Sequence, residues 1–203
     1  MPSTDGYAEA AATLLADYEA MRFEAIHAGI LDLLPEPPAE VLDIGAGSGR
    51  DAGWLAAQGY RVTAAEPVAE MREGARRLHP SPAIRWCDDA LPELPALSLG
   101  RTRFDLILMT AVFMHLDAEE RAAALPVLAG LLAPGGRLIL SLRHGPVPAD
   151  RQMFEVGAEE IRALAAAAGL GVIRERTEAP ALPRNVAAGV RWTRIALARP
   201  DAA

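Results

Sequence analysis

Apolar and small residues at Tyr7, Ala11, Leu14, Tyr18, Met21 and Ala25 recur every three or four positions, the spacing of one stripe on a long opening helix. Pro35, Pro37 and Pro38 stop any helix, and beyond them the period changes. Residues 41–44 form a short apolar strand that runs into Gly45-Ala46-Gly47-Ser48-Gly49. A helix is expected over 51–58, closed by Gly59 as a left-handed cap. A strand over 60–65, a helix over 69–78 and a third strand over 83–87 follow. Residues 104–109 are almost continuously apolar, as in a strand buried on both faces of a parallel sheet.

Asp117 and Glu120 have the spacing of a capping box and mark a helix start. Pro126 lies inside that helical pattern and should bend or split it, since a straight helix would bear a cost of about 3 kcal/mol. Residues 132–136 read as a turn and 137–142 as a fifth strand. Ile161, Leu164, Ala165 and Ala168 outline another helix, with Glu159 and Glu160 in its first turn, where the helix dipole favours them, and Gly169 past its end. Two β-rich segments, 171–176 and 191–198, flank a Pro-rich loop with no helical pattern. A parallel pair would need a crossover helix, so these strands should run antiparallel. The expected fold is α/β, a doubly wound and mostly parallel sheet with one antiparallel edge hairpin. No repeat or linker divides the chain, which reads as one domain over 1–203, with an N-terminal helical cap at 1–35 and a Rossmann-like core from 38.

The 203 residues suffice for one substantial core. The net charge of −7 and the lack of any basic run argue against nucleic acid as a partner. Cys87 is the one cysteine, so no intramolecular disulfide forms. The first residues are polar and acidic, unlike a secretory signal, and the longest apolar stretch, 106–114, falls short of the roughly 20 residues of a membrane span. A cytoplasmic protein without membrane contact is expected.

The strand, glycine loop and helix at 41–58 carry the chemistry. Missing side chains let backbone approach a ligand, and amides at the helix start point toward it. A tight turn of any α/β protein would look similar, but the spacing discriminates. Dinucleotide enzymes use Gly-x-Gly-x-x-Gly; here the third glycine position is Arg50, and the loop is Gly45-x-Gly47-x-Gly49. Asp43 lies two residues before the loop. Glu66 follows Gly45 by 21 positions (66 − 45), the place for a carboxylate that accepts from ribose hydroxyls.

With these features the chain resembles the class I S-adenosylmethionine-dependent methyltransferases. The matching segments are Val41-Leu-Asp-Ile-Gly-Ala-Gly-Ser-Gly-Arg50, Val62-Thr-Ala-Ala-Glu-Pro67, Cys87-Asp-Asp-Ala90, Phe104-Asp-Leu-Ile-Leu-Met-Thr-Ala111 and Leu132-Ala-Pro-Gly-Gly-Arg-Leu-Ile-Leu-Ser141. They span about residues 38–145; residues 1–35 and 143–157 match only loosely. The resemblance implies strand order 3-2-1-4-5-7-6, with S-adenosylmethionine as cofactor and S-adenosylhomocysteine as product. It also implies roles. Asp43 and the backbone of Gly45, Ala46, Gly47 and Gly49 would hold the methionine part, and Glu66 the ribose. Pro67 and Val68 would pack on adenine. Asp89, with Asp88 as the competing choice, would accept from the adenine amino group beside the Ala90 amide. Thr110 would touch the amino-acid end.

The sulfonium methyl is already activated, so a general base is needed only for an acceptor that is protonated at neutral pH. His115 and His144 follow the fourth and fifth strands; either could be that base, or an orienting residue. Tyr18 and Arg22 lie four apart on the first helix, suited to the cofactor carboxylate, to the acceptor or to ordinary packing; Arg50 could serve a carboxylate instead. His27, His79, His115 and His144 lack ligand spacing, so no metal is expected. Cys87, Trp86 and Trp192 read as strand packing, and Trp54 as packing of the first core helix. The expected acceptor is a small molecule, methylated at O or N, and the protein a monomer or homodimer. The alternatives are an S-adenosylmethionine- or S-adenosylhomocysteine-binding protein without methyl transfer, and a nicotinamide-dependent oxidoreductase.

Overall fold

Five strands pair in parallel at the centre of the molecule: β1 (Glu40–Ile44), β2 (Arg61–Ala65), β3 (Ile84–Cys87), β4 (Phe104–Met109) and β5 (Leu132–His144). β6 (Gly171–Glu178) and β7 (Arg191–Ala198) complete one seven-stranded sheet of order β3-β2-β1-β4-β5-β7-β6, with β7 antiparallel to both neighbours. The computed structural model describes residues 4, 6–147, 151–180 and 183–199.

Parallel neighbours require long crossovers, and helices supply them. α3 (Arg50–Ala57) joins β1 to β2, α4 (Ala69–Leu78) joins β2 to β3, the short α5 (Pro95–Ser98) precedes β4, and α6 (Ala118–Leu131) precedes β5. α7 (Ala158–Ala167) leads into β6. Side chains alternate across a strand, so the apolar central strands feed both faces. Leu42, Ile107 and Leu140 pack with Leu125 and Leu128 of α6 and Ile161 of α7. Val41, Leu106, Leu108 and Ile139 pack on the other face with Ala52 and Leu55 of α3.

The opening helix is two helices, α1 (Ala11–Glu19) and α2 (Phe23–Ile26), parted by Arg22 in extended backbone (φ −78°, ψ 138°). The reason lies in Phe23. It follows Leu14 by nine positions (23 − 14), about half a turn out of phase in a straight helix, yet both are buried. The break lets Leu14 pack with Met71 of α4 while Phe23 stacks on Trp54, 3.9 Å between ring centroids and 9° between planes. Glu19 ties the end of α1 down, bonding Ser48 Oγ (2.7 Å) and His79 Nε2 (3.1 Å).

Three further details differ from the sequence pattern. α6 runs through Pro126 without a break; the proline sits on the exposed side, where water can solvate the carbonyl it leaves unbonded. Its start is the expected capping box between Asp117 and Glu120. The expected turn at 132–136 lies within β5 as a bulge, pairing jumping from Phe104↔Leu132 to Leu106↔Arg137. The loop between β6 and β7 contains one short helix, α8 (Pro183–Ala187), too brief to show a period. β6 also carries a bulge, its register to β7 shifting between Val172 and Arg174. No described helix is long and apolar enough to cross a membrane.

Phe23→Ala should lower the unfolding free energy by about 3–5 kcal/mol. Leu99→Ala, at a residue 89% exposed, should stay within about 0.5 kcal/mol. Urea unfolding checks both, and equal effects would refute the anchoring role of Phe23.

Candidate active site

The β1–α3 loop is folded against the end of β2. Gly45 N–H and Ala46 N–H donate to the Ala65 carbonyl (2.8 and 3.1 Å). Gly45 (φ 65°) and Gly47 (φ 57°) are left-handed, and a Cβ on Gly45 would stand 2.5 Å from Val112 Cγ2. The Glu66 carboxylate closes the fold, Oε2 accepting from Gly47 N–H and Oε1 from Val68 N–H, each at 2.9 Å. It is buried, and burial raises its pKa. Each oxygen retains a lone pair for a further donor.

Beneath the loop lies a buried polar network. Asp51 accepts from His27 Nε2 (2.9 Å), Arg50 Nε (2.7 Å) and Thr110 Oγ1 (3.0 Å). Arg194 Nη1, 3.1 Å from His27 Nδ1, can only donate, which assigns the imidazole proton to Nε2, facing Asp51. Burial alone would raise the Asp51 carboxyl. The hydrogen bond from His27, with the charge and hydrogen bond of Arg50, outweighs it and holds the group well below the usual carboxylate range. Asp43 has the opposite fate: burial, then the neighbouring Asp51 charge, pushes its carboxyl well up. Its Oδ2 is buried without a hydrogen-bond partner among the described residues. Ala111, after β4, holds a left-handed φ of 62° and donates its N–H to Ser141 Oγ (2.9 Å). Such strain in a non-glycine residue recurs at ligand sites.

These groups border one cavity of about 1020 Å³ at the carboxyl ends of the strands, beneath α1. Asp43, Gly45, Ala46, Gly47, Glu66, Pro67, Ala90 and Thr110 line it, as do Val68, Tyr18 and Arg50. Gly49 lies behind the wall, where a Cβ would meet Trp86 at 2.7 Å. Neither Asp88 nor Asp89 is part of the lining. Asp89 is buried, its Oδ1 accepting from Ala90 N–H (3.2 Å) and its Oδ2 from Leu97 N–H (2.9 Å); the Asp88 side chain is 69% exposed and pairs with Arg72.

His115 lines the cavity. Its Nδ1 is 3.0 Å from the Gln152 carbonyl, which puts the proton there and leaves Nε2 to accept from Tyr7 O–H at 3.1 Å. Burial lowers its pKa, and burial followed by the nearby Tyr18 pushes the Tyr7 phenol up. The Arg151 guanidinium lies 4.6 Å over the Tyr7 ring. His144 is not in the cavity wall. Ser141 and Arg143 of β5 face the cavity, so Leu142 and His144 face away, and His144 Nε2 bonds Thr193 Oγ1 (2.9 Å). Arg22 is also outside, its side chain 80% exposed beside Glu24. Trp192, expected only to pack, lines the cavity.

The spacing arguments passed over His27, Asp51, Arg143 and Arg194. Strand alternation applied to β5 would have exposed Arg143. The His27–Asp51 bond joins residues 24 positions apart and leaves no local signal.

A Rossmann-like sheet with a glycine loop at β1 and an acidic residue at the end of β2 defines a nucleotide-type binding fold. Residues 41–136 match the family described as methyltransferase domain. An uncharacterised methyltransferase of Mycobacterium bovis is 33% identical over 107 residues, 52% of this chain and 40% of that protein. The ubiquinone biosynthesis O-methyltransferase of Xylella fastidiosa M23 is 35% identical over 130 residues, 61% of this chain and 49% of that one. The chain thus spans half or less of the length of these curated relatives. The solved 1,6-didemethyltoxoflavin N1-methyltransferase of Burkholderia thailandensis, crystallised with 1,6-didemethyltoxoflavin and S-adenosylhomocysteine, matches with a TM-score of 0.62 and 25% identity, over 95% of this chain and 90% of that one. Over residues 41–136 the chain is thus similar to methyltransferase domains, and its fold is like that of the solved N1-methyltransferase.

Because the folded-state pKa of Asp51 is depressed, the stability it contributes is present above its unfolded value, about 3.9, and is lost as the pH falls through the lower folded value. The gap in unfolding free energy between wild type and Asp51→Asn should therefore narrow as the pH drops from about 6 to 3. A gap that stays constant in urea titrations would contradict the network.

Proposed function

We propose that this chain transfers a methyl group from S-adenosylmethionine to a small-molecule acceptor, at oxygen or nitrogen. The observation that carries the reading is the pair of carboxylates beside the glycine loop: Glu66 fixed by two amides with lone pairs to spare, and Asp43 Oδ2 buried and unpaired among the described residues. A buried acceptor without a donor costs about 1–3 kcal/mol, and a ligand bringing hydroxyl and ammonium donors removes that cost. The residues therefore fit this cofactor.

In this reading Glu66 accepts from the ribose hydroxyls, Asp43 and the backbone of Gly45, Ala46 and Gly47 hold the methionine part, and Pro67 and Val68 pack on adenine, while Gly49 acts behind the wall by letting the loop turn. Ala90 borders the adenine, and Asp89 acts behind it by fixing its amide. Thr110, held on Asp51, shapes the amino-acid end. S-adenosylmethionine, when bound, supplies a sulfonium methyl already activated toward attack. The chain's main task is then to align the acceptor, an effect worth about 7–11 kcal/mol. The cavity, about 1020 Å³, is at the upper end of the roughly 300–1,000 Å³ of small-molecule sites, which favours two ligands over a cofactor alone. For an acceptor that must lose a proton, Tyr7 O–H and His115 Nε2 form a relay, the phenol oxygen taking the acceptor's proton as its own passes to the imidazole. Arg50, in the third-glycine position and held on Asp51, argues against a nicotinamide cofactor.

Calorimetric titration tests the reading. S-adenosylmethionine and S-adenosylhomocysteine should bind saturably and NAD(H) should not, with Glu66→Ala weakening S-adenosylhomocysteine at least about tenfold. Binding of NAD(H) alone would overturn it.

A further inference from the structure

The cavity wall differs in charge from end to end. Around β1, β2 and the start of α3 it carries Asp43, Asp51 and Glu66, with Arg50 committed to Asp51. Across β5, β7 and β6 the balance reverses. Arg194 pairs in register with Ser141 on one side and Arg176 on the other; Trp192 pairs with Arg143 and Glu178. Directly paired residues share a face of the sheet, as do residues two apart along a strand. All six line the cavity, in two adjacent rows with neighbours roughly 5 Å apart across the strands and roughly 7 Å apart along them.

Of these cations, Arg194 is fully engaged: Nε to Glu178 Oε2 (3.2 Å), Nη1 to His27 Nδ1 (3.1 Å) and Nη2 to the Ile26 carbonyl (2.8 Å). Arg143 is not. It is half-buried, its Nη1 donates to the backbone carbonyls of Gly145 (3.5 Å) and Pro146 (2.7 Å), and among the described residues no carboxylate lies within ion-pair distance of it. Arg176 is exposed and makes neither hydrogen bond nor ion pair among the described residues, although its charge is near enough to Asp32 to help lower that carboxyl. A guanidinium taken partly out of water without a counter-charge is unfavourable, and burial accordingly lowers the Arg143 pKa. The fork of a guanidinium matches a planar carboxylate in two parallel bonds. Trp192, in the same row as Arg143, offers an apolar surface beside it.

We infer that Arg143, assisted by Arg176, recognises a carboxylate on the methyl acceptor, which is a small, flat, apolar acid. The inference rests on the methyltransferase reading and adds the substrate class. The acidic end of the cavity takes the donor-rich cofactor; the cationic end takes the anionic acceptor.

Calorimetry with S-adenosylhomocysteine already bound tests this, using benzoate and its neutral isostere benzamide as probes. Wild type should bind benzoate at least about tenfold more tightly than benzamide. Arg143→Met should abolish that preference, Arg143→Lys should restore part of it, and Arg176→Met should reduce it. S-adenosylhomocysteine affinity should be unchanged in all of these variants. Equal affinity for the two probes, no saturable benzoate binding at millimolar concentration, or a preference that survives in Arg143→Met would overturn the inference. A loss of S-adenosylhomocysteine affinity in Arg143→Met would overturn it too, by assigning the guanidinium to the cofactor. Failure of S-adenosylhomocysteine to bind wild type is a separate result, which removes the methyltransferase reading itself.

Discussion

The buried carboxylate of Asp51 is the point on which the rest of this structure depends. A charge out of water is tolerable only when donors surround it, and the donors here come from distant parts of the chain. His27 belongs to the segment following α2, Arg50 to the start of α3, and Thr110 to the end of β4. Behind His27 stand Arg194 of β7 and Glu178 of β6. One anion thus draws the N-terminal cap, the glycine loop, the central strand and the C-terminal hairpin into a common arrangement. The apolar layers set how the sheet is covered; this network fixes where the cap sits on it.

The same network separates two neighbouring acids. Asp43 and Asp51 are both buried, but Asp51 collects the available donors and stays ionised, while Asp43 keeps an oxygen unpaired among the described residues and a raised pKa. A polar group kept short of a partner in a folded protein is a cost, and it is usually met at sites where a ligand completes the set. Glu66 occupies an intermediate position, satisfied by the loop amides yet still able to accept. The site is built in advance and incompletely satisfied.

Much of this was legible in the chain. The strand–loop–helix at 41–58 and the apolar run at 104–109 announce a parallel sheet because their signals are local: glycines where backbone must turn left-handed, and continuous apolarity where both faces are covered. The strands near 171–178 and 191–198 were readable as antiparallel because no crossover separates them. The break between α1 and α2 was not legible, since its cause is a stacking partner, Trp54, that only the fold supplies. Within the site, the loop residues and Glu66 could be named from spacing. The resemblance implies an adenine contact at Asp89, and its carboxylate stands behind the cavity wall, held on the Ala90 and Leu97 amides. His144 follows a strand as a rim residue does, but its neighbour Arg143 occupies the cavity side. Position along the sequence told which strand end mattered, and only side-chain alternation told which residue faced inward.

The bulge in β6 has a consequence well beyond the edge of the sheet. Val172 pairs with Leu197 and Arg174 with Ala196, so one residue, Ile173, is skipped. Were the strand regular from Val172 onward, Glu175 rather than Arg176 would stand opposite Arg194, and Thr177 rather than Glu178 opposite Trp192. An acid would then face the arginine at the heart of the C-terminal wall, and the counter-ion of Arg194 would turn to solvent. A single inserted residue at the rim therefore works as a parity switch, fixing the sign of charge several residues downstream without any substitution in the wall itself.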